Sequence, residues 1–163
     1  MDKYSMPKLG TFNLHGSLLP QYRGAAPLNW AVINGEKKTG VTTFFINEEI
    51  DTGSVILQKE AVITPEMSAG ELHDLLMHMG SKAVLETVEL IKQGSLIPVP
   101  QQEGNFRSAP KLTKDNCRIN WEDSMENIYN HIRGLSPYPG AWSQMENDQK
   151  TIELKIYQTK MIH

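Results

Sequence analysis

The sequence predicts an α/β protein. Three observations carry this reading: β-rich runs at residues 11–15, 40–47 and 54–63, helix patterns opening at Pro27 and Ser68, and a second strand-rich region beyond a proline-rich stretch. The 163 residues suffice for one ordinary domain or parts of two, and 39% hydrophobic and 21% charged residues are those of a soluble globular chain. A net charge of −3 carries no global signature of nucleic-acid or membrane binding. The single Cys117 excludes an intrachain disulfide, fits a reducing compartment, and reads as a small apolar residue near a strand. No apolar run approaches the ~18 residues of a membrane span, and residues 1–10 lack the layout of a signal peptide, so a cytoplasmic location is expected.

Residues 11–15 predict a short strand running into a turn over 16–20. Pro27 suits the first position of a short helix, with Trp30, Ala31 and Ile33 inward and Gly35 at its end. Two runs dense in Val, Thr, Phe and Ile follow, joined by the acidic connection Glu48-Glu49-Ile50-Asp51-Thr52-Gly53. Ser68-Ala69-Gly70-Glu71 is a capping box, and Leu72, Leu75, Leu76, Met79, Ala83, Leu90 and Ile91 give the helical spacing of a long helix stopped by Gly94. Residues 95–110 hold Pro98, Pro100, Gly104 and Pro110 and predict a linker. Beyond it, 111–121 predicts an extended segment ending on a buried Trp121. Ser124 caps an amphipathic helix with Ile128, Ile132 and Leu135 inward. Residues 141–146 and 151–162 predict strands joined by an Asn147-Asp148 turn, with Ile152, Leu154 and Ile156 on one side. The division expected is therefore 1–94, a linker over 95–110, and 111–163.

The chemistry concentrates in Asn13-Leu14-His15-Gly16-Ser17-Leu18-Leu19-Pro20. In an extended segment Asn13 and His15 project to the same face. A carboxamide donates to a developing oxyanion, and an imidazole moves protons near neutral pH. That pairing suits acyl-type transfer to an amine. Arg23 is either a fork for a carboxylate or phosphate or a solvated surface cation. Asp51-Thr52-Gly53 is ordinary turn chemistry; an aspartic-protease dyad would need a second such motif or a dimer, together with an all-β context, and the helix-rich segments argue against it. His73, His78 and His131 read as surface or interface residues, and no spacing suits a metal or a nucleotide phosphate. Trp30, Trp121 and Trp142 read as core.

Four motifs in order then resemble a known family. Asn13-Leu14-His15, Ser17-Leu18-Leu19-Pro20, Tyr22-Arg23-Gly24 and Ile50-Asp51-Thr52-Gly53 resemble the 10-formyltetrahydrofolate-dependent formyltransferases. Arg23-Gly24-Ala25-Ala26-Pro27, Lys111-Leu112, Ile119-Asn120-Trp121 and the stretch from Ile132 to Trp142 look most like the members whose acceptor is methionyl-tRNA. The resemblance covers nearly the whole chain past Met6. It implies the C-terminal half of a Rossmann-like formyltransferase domain followed by the start of a small OB-like β-barrel. It also implies an internal piece of a longer, monomeric enzyme, inactive by itself. Asn13, His15 and Asp51 would be catalytic, with Asp51 holding His15 in a useful protonation state and relaying protons. Ser17, Leu18, Leu19 and Pro20 would wall the folate. The co-substrate would be 10-formyltetrahydrofolate, with no metal and no membrane partner. Two other readings stay open: the same donor with an amino sugar, nucleotide amine or water as acceptor, and a non-catalytic folate- or RNA-binding piece.

Overall fold

The computed structural model describes residues 7–94, 96–147 and 150–162. Strand β1 (Phe12–His15) is followed by the two-residue β2 (Arg23–Gly24), helix α1 (Pro27–Ile33), and strands β3 (Lys38–Phe45) and β4 (Val55–Val62). Helix α2 (Ala69–Gln93), β5 (Ser108–Ala109), one 3-10 turn at Asp115–Cys117, α3 (Met125–Leu135), β6 (Ala141–Asn147) and β7 (Lys150–Ile156) complete the order.

β1, β3 and β4 form a sheet in the order β1-β3-β4, antiparallel throughout, with Asn13 opposite Phe44 and His15 opposite Thr42. The α/β content matches expectation, although this sheet has none of the parallel pairing of a Rossmann-like layer. β3 is central and buried along most of its length. Its neighbouring threonines serve opposite faces, as strand alternation requires. The Thr42 hydroxyl donates to the Ser17 carbonyl at 2.6 Å, fastening the turn after β1, whereas Thr43 shares a 2.7 Å hydrogen bond with Thr87 of α2.

α2 opens with the predicted capping box: the Glu71 carboxylate accepts the Ser68 N–H at 2.8 Å, and the Glu71 N–H donates back to the Ser68 hydroxyl. Gly94 closes it at φ +66°, a conformation that favours glycine. Its inward row is Ala69, Leu72, Leu76, Gly80, Ala83 and Thr87. Leu75, expected on that row, is exposed, because from Leu72 the row advances by four to Leu76 and by four again to Gly80, leaving Leu75 off the buried stripe. Gly80 leaves no room for a Cβ against Leu14, which brings the helix close to β1.

Two apolar clusters result. Val32, Val41, Ile63, Leu72 and Leu76 belong to the first, between α1, the sheet and α2; Cys117, Ile119, Ile132, Leu135 and Trp142 belong to the second, under α3. They are joined by polar contacts. The Asn29 amide donates to the Gly134 carbonyl at 2.9 Å, and the buried Arg133 donates to the Met67 carbonyl at 2.7 Å and to the Asn130 side chain at 2.8 Å.

Several expectations need correction. Residues 111–121 hold a 3-10 turn, and Trp121 is 56% exposed, although its indole N–H donates to the buried Ser143 hydroxyl at 2.7 Å. His131, expected at a surface or interface, is half-buried on α3 with its Nε2 shielded from solvent. β7 ends at Ile156, so 157–162 is not strand, and Ile152 and Leu154 are exposed on the β6–β7 hairpin. Within residues 96–110, Val99 pairs with Val55, and β5 pairs in parallel with β2. Ser95 of the expected linker and Asp148 of the predicted turn lie outside the described residues.

Candidate active site

His15 ends β1, and its ring is buried at the edge of the sheet. Its Nε2 lies 2.8 Å from the Tyr22 carbonyl oxygen. A carbonyl only accepts, so Nε2 carries the proton of the neutral ring. The other nitrogen, Nδ1, faces Asp51 Oδ2 at 3.6 Å. That leaves Nδ1 as the position at which the ring takes up or releases a proton, with a carboxylate beside it to stabilise the cation. Phe44 closes one side, edge-on to the imidazole with ring centres 6.5 Å apart.

Asp51 comes from the turn between β3 and β4, 36 positions from His15 in the chain, and is held at φ +56°. Few non-glycine residues adopt that conformation, and Asp is among those that tolerate it. The Gly24 N–H donates to its Oδ2 at 2.9 Å. Gly53 beside it packs so tightly on the Phe45 carbonyl that any Cβ would overlap the oxygen.

Tyr22 and Gly24 organise the pair through their backbone. Tyr22 has φ +61°, which belongs to the same turn that places its carbonyl on His15. Its side chain is anchored in the core, where the phenol donates to Glu36 at 2.7 Å and accepts from the Asn34 amide. Burial, and then the Glu36 carboxylate, push that phenol above its ordinary value.

Asn13 shares the His15 face of β1, two residues away, and is exposed. Its side-chain oxygen accepts the Leu14 N–H at 2.9 Å, so its NH₂ remains the donor group. The Ser17–Pro20 turn is more divided than its sequence suggests. Ser17 and Leu19 are buried, Ser17 Oγ donates to the Gln21 carbonyl at 2.6 Å, and the Leu19 backbone is held by Thr42 and Gln58. Leu18 and Pro20 are half-buried and, with the turn's backbone, keep surface available to a ligand. Arg23 donates through Nε and Nη2 to Gln101 Oε1 at 3.0 and 2.6 Å.

Sequence reasoning assigned no role to Tyr22, Gly24 or Gln101. The first two lie inside a quoted motif, but their contribution is backbone geometry, which residue type does not announce. Gln101 stands in a proline-rich stretch with no periodicity to mark it. Among the described residues, no three His, Cys, Asp or Glu side chains converge to hold a metal ion.

Fold and geometry describe an α/β module carrying an acid–imidazole pair of the kind used in general acid–base catalysis. The chain belongs to the formyl transferase family: the sequence profile described as "Formyl transferase" matches residues 3–88, and that described as "Formyl transferase, C-terminal domain" matches residues 111–163. It is 53% identical over 160 residues to the methionyl-tRNA formyltransferase of Flavobacterium johnsoniae, covering 98% of this chain and 51% of that protein. It is 52% identical to the methionyl-tRNA formyltransferase of Parabacteroides distasonis, covering 96% of this chain and 50% of that protein. The chain thus spans about half the length of the curated relatives it matches. Among solved structures, an N-formyltransferase from Helicobacter canadensis in complex with folinic acid and dTDP-3-aminofucose is similar with a TM-score of 0.70 and 26% identity, over 76% of this chain and 46% of that one. HypX from Aquifex aeolicus in complex with tetrahydrofolic acid is similar with a TM-score of 0.69 and 28% identity, over 82% of this chain and 23% of that one.

Proposed function

We propose that these residues carry the catalytic groups of an enzyme that transfers the formyl group of 10-formyltetrahydrofolate to the α-amino group of methionyl-tRNA. The observation that supports it is the pairing of half-buried Asp51 with buried His15, 3.6 Å away on the strand that also carries Asn13, in a chain about half identical to methionyl-tRNA formyltransferases.

In this reading the amine nitrogen attacks the formyl carbon, and the carbonyl oxygen becomes an oxyanion facing the Asn13 carboxamide. The attacking amine loses a proton, the carbon–N10 bond breaks, and tetrahydrofolate leaves with a proton on N10. His15 Nδ1 takes and returns that proton, and Asp51 stabilises the imidazolium in between. No covalent enzyme intermediate is required; positioning and oxyanion stabilisation lower the barrier. Leu18, Pro20 and the backbone of residues 17–20 line the folate, with Ser17 and Leu19 supporting that wall from beneath.

The proposal extends to the domain scale. Residues 1–94 belong to the C-terminal half of a Rossmann-like formyltransferase domain, 95–110 connect it, and 111–163 begin an OB-like barrel. The full-length enzyme acts as a cytoplasmic monomer, and the 163 residues alone do not turn over.

The test is formylation of charged initiator tRNA by the full-length protein carrying this chain, with and without Asn13→Ala, His15→Ala and Asp51→Ala. Each substitution should lower kcat by about 10²–10³. Parental turnover in all three would end the assignment of these groups. Activity confined to amino-sugar or nucleotide amines would replace the acceptor.

A further inference from the structure

Gln101 makes four hydrogen bonds with one side chain. Its Nε2 donates to the Asp51 and Gly53 carbonyls, both at 2.8 Å, and its Oε1 accepts from Arg23 Nε and Nη2. The segment carrying it is held on both sides. Val99 exchanges two backbone hydrogen bonds with Val55, and β5 pairs with β2. Gln101 is therefore presented to the Asp51 turn by pairing with both strands that flank the site.

We propose that Gln101 is a positioning residue for the transfer reaction, locking the carbonyls of the Asp51 turn so that the carboxylate stays on His15. This rests on the reading of His15 and Asp51 as the catalytic pair. An uncommon backbone conformation such as φ +56° at Asp51 persists only when its surroundings over-determine it. Three groups do so here: the Gly24 N–H on the carboxylate, the Phe45 carbonyl against Gly53, and the Gln101 amide on the carbonyls before and after Thr52.

A primary amide suits this place for a chemical reason. It offers two N–H bonds to two carbonyls and an oxygen to a guanidinium at once. A carboxylate would keep Arg23 but turn lone pairs toward both carbonyls. A thioether of similar volume would hold neither. Misplacing a reacting group by about 1 Å costs on the order of 10² in rate, so a loosened turn is felt in kcat.

The experiment uses the full-length protein with Gln101→Met and Gln101→Glu, each alone and combined with Asp51→Asn. Either single variant should lower kcat by about 10- to 100-fold, with KM for both substrates within about twofold of the parent. In the Asp51→Asn background Gln101→Met should cause no further loss, because it acts through that carboxylate. Hydrogen exchange at the Gly24 amide should quicken in Gln101→Met.

A parental kcat in Gln101→Glu overturns the proposal, and so does a loss that multiplies with Asp51→Asn. Failure of both variants to fold also overturns it, since the residue would then be structural. If the parent transfers no formyl group at all, the catalytic reading fails instead. Gly24 exchange then decides for Gln101 by itself, with unchanged protection counting against it.

Discussion

The Nε2–H of His15 donates to the Tyr22 carbonyl at 2.8 Å, and this one contact determines which ring nitrogen meets Asp51. Because the acceptor has no proton to give, the ring cannot turn its roles around without breaking the bond. The neutral imidazole is therefore the Nε2–H tautomer. In ring-15N-labelled protein at alkaline pH, the His15 spectrum should show a protonated Nε2 and a bare Nδ1. The reverse assignment would mean that proton exchange occurs elsewhere on the ring.

Gly53 is the tightest point of the Asp51 turn. A methyl group there overlaps the Phe45 carbonyl, so Gly53→Ala should destabilise by about 3 kcal/mol, at the upper end for overpacking, as read by denaturant midpoint. Gly16→Ala is the control: its Cβ would meet only Pro27 Cγ at 3.7 Å, an ordinary contact, and stability should change little. Equal effects at the two positions would count against this account of the turn.

Arg133 connects the two apolar clusters. Burial lowers its guanidinium from the ordinary value, yet the cation is kept by the Met67 carbonyl and the Asn130 side chain. Arg133→Met keeps the stem and strands those acceptors, for a loss of about 2–3 kcal/mol. Arg133→Lys should not restore it, because a single ammonium lacks the planar fork. Full rescue by lysine in a thermal melt would show that charge alone matters.

His131 predicts a pH dependence of stability. Burial pushes its imidazole below the ordinary value of 6.5, against raising effects from the Cys117 and Arg118 backbone and Asp123, and Nε2 has no partner among the described residues. The unfolded chain then binds a proton at a higher pH than the folded one. The His131 contribution is complete above 6.5 and declines as pH falls from there through the lower folded value. Denaturant midpoints at pH 7.5 and 5.5 should diverge in the parent and converge in His131→Asn. Identical divergence in both would remove His131 as the cause.

The local elements were legible in the residues themselves. The Ser68–Glu71 box and Gly94 bracket α2, Pro27 opens α1, Ser124 caps α3, and alternation alone puts Asn13 and His15 on one face of β1. Capping, periodicity and turn chemistry act over a few residues, so a linear reading captures them.

The meeting of His15 with Asp51, the Tyr22 carbonyl on the imidazole, and the Gln101 bridge were decided only by tertiary structure. They join residues 7 to 78 positions apart, or use backbone groups that every residue owns, so no spacing in the chain reveals them. Trp121, misread as core, lies 56% exposed with its indole N–H on the Ser143 hydroxyl of β6, and the burial of Thr87 on α2 follows from Thr43 of β3 offering it a matching hydroxyl. Residue type supplies the chemistry, and the packing of distant segments selects which atoms may use it.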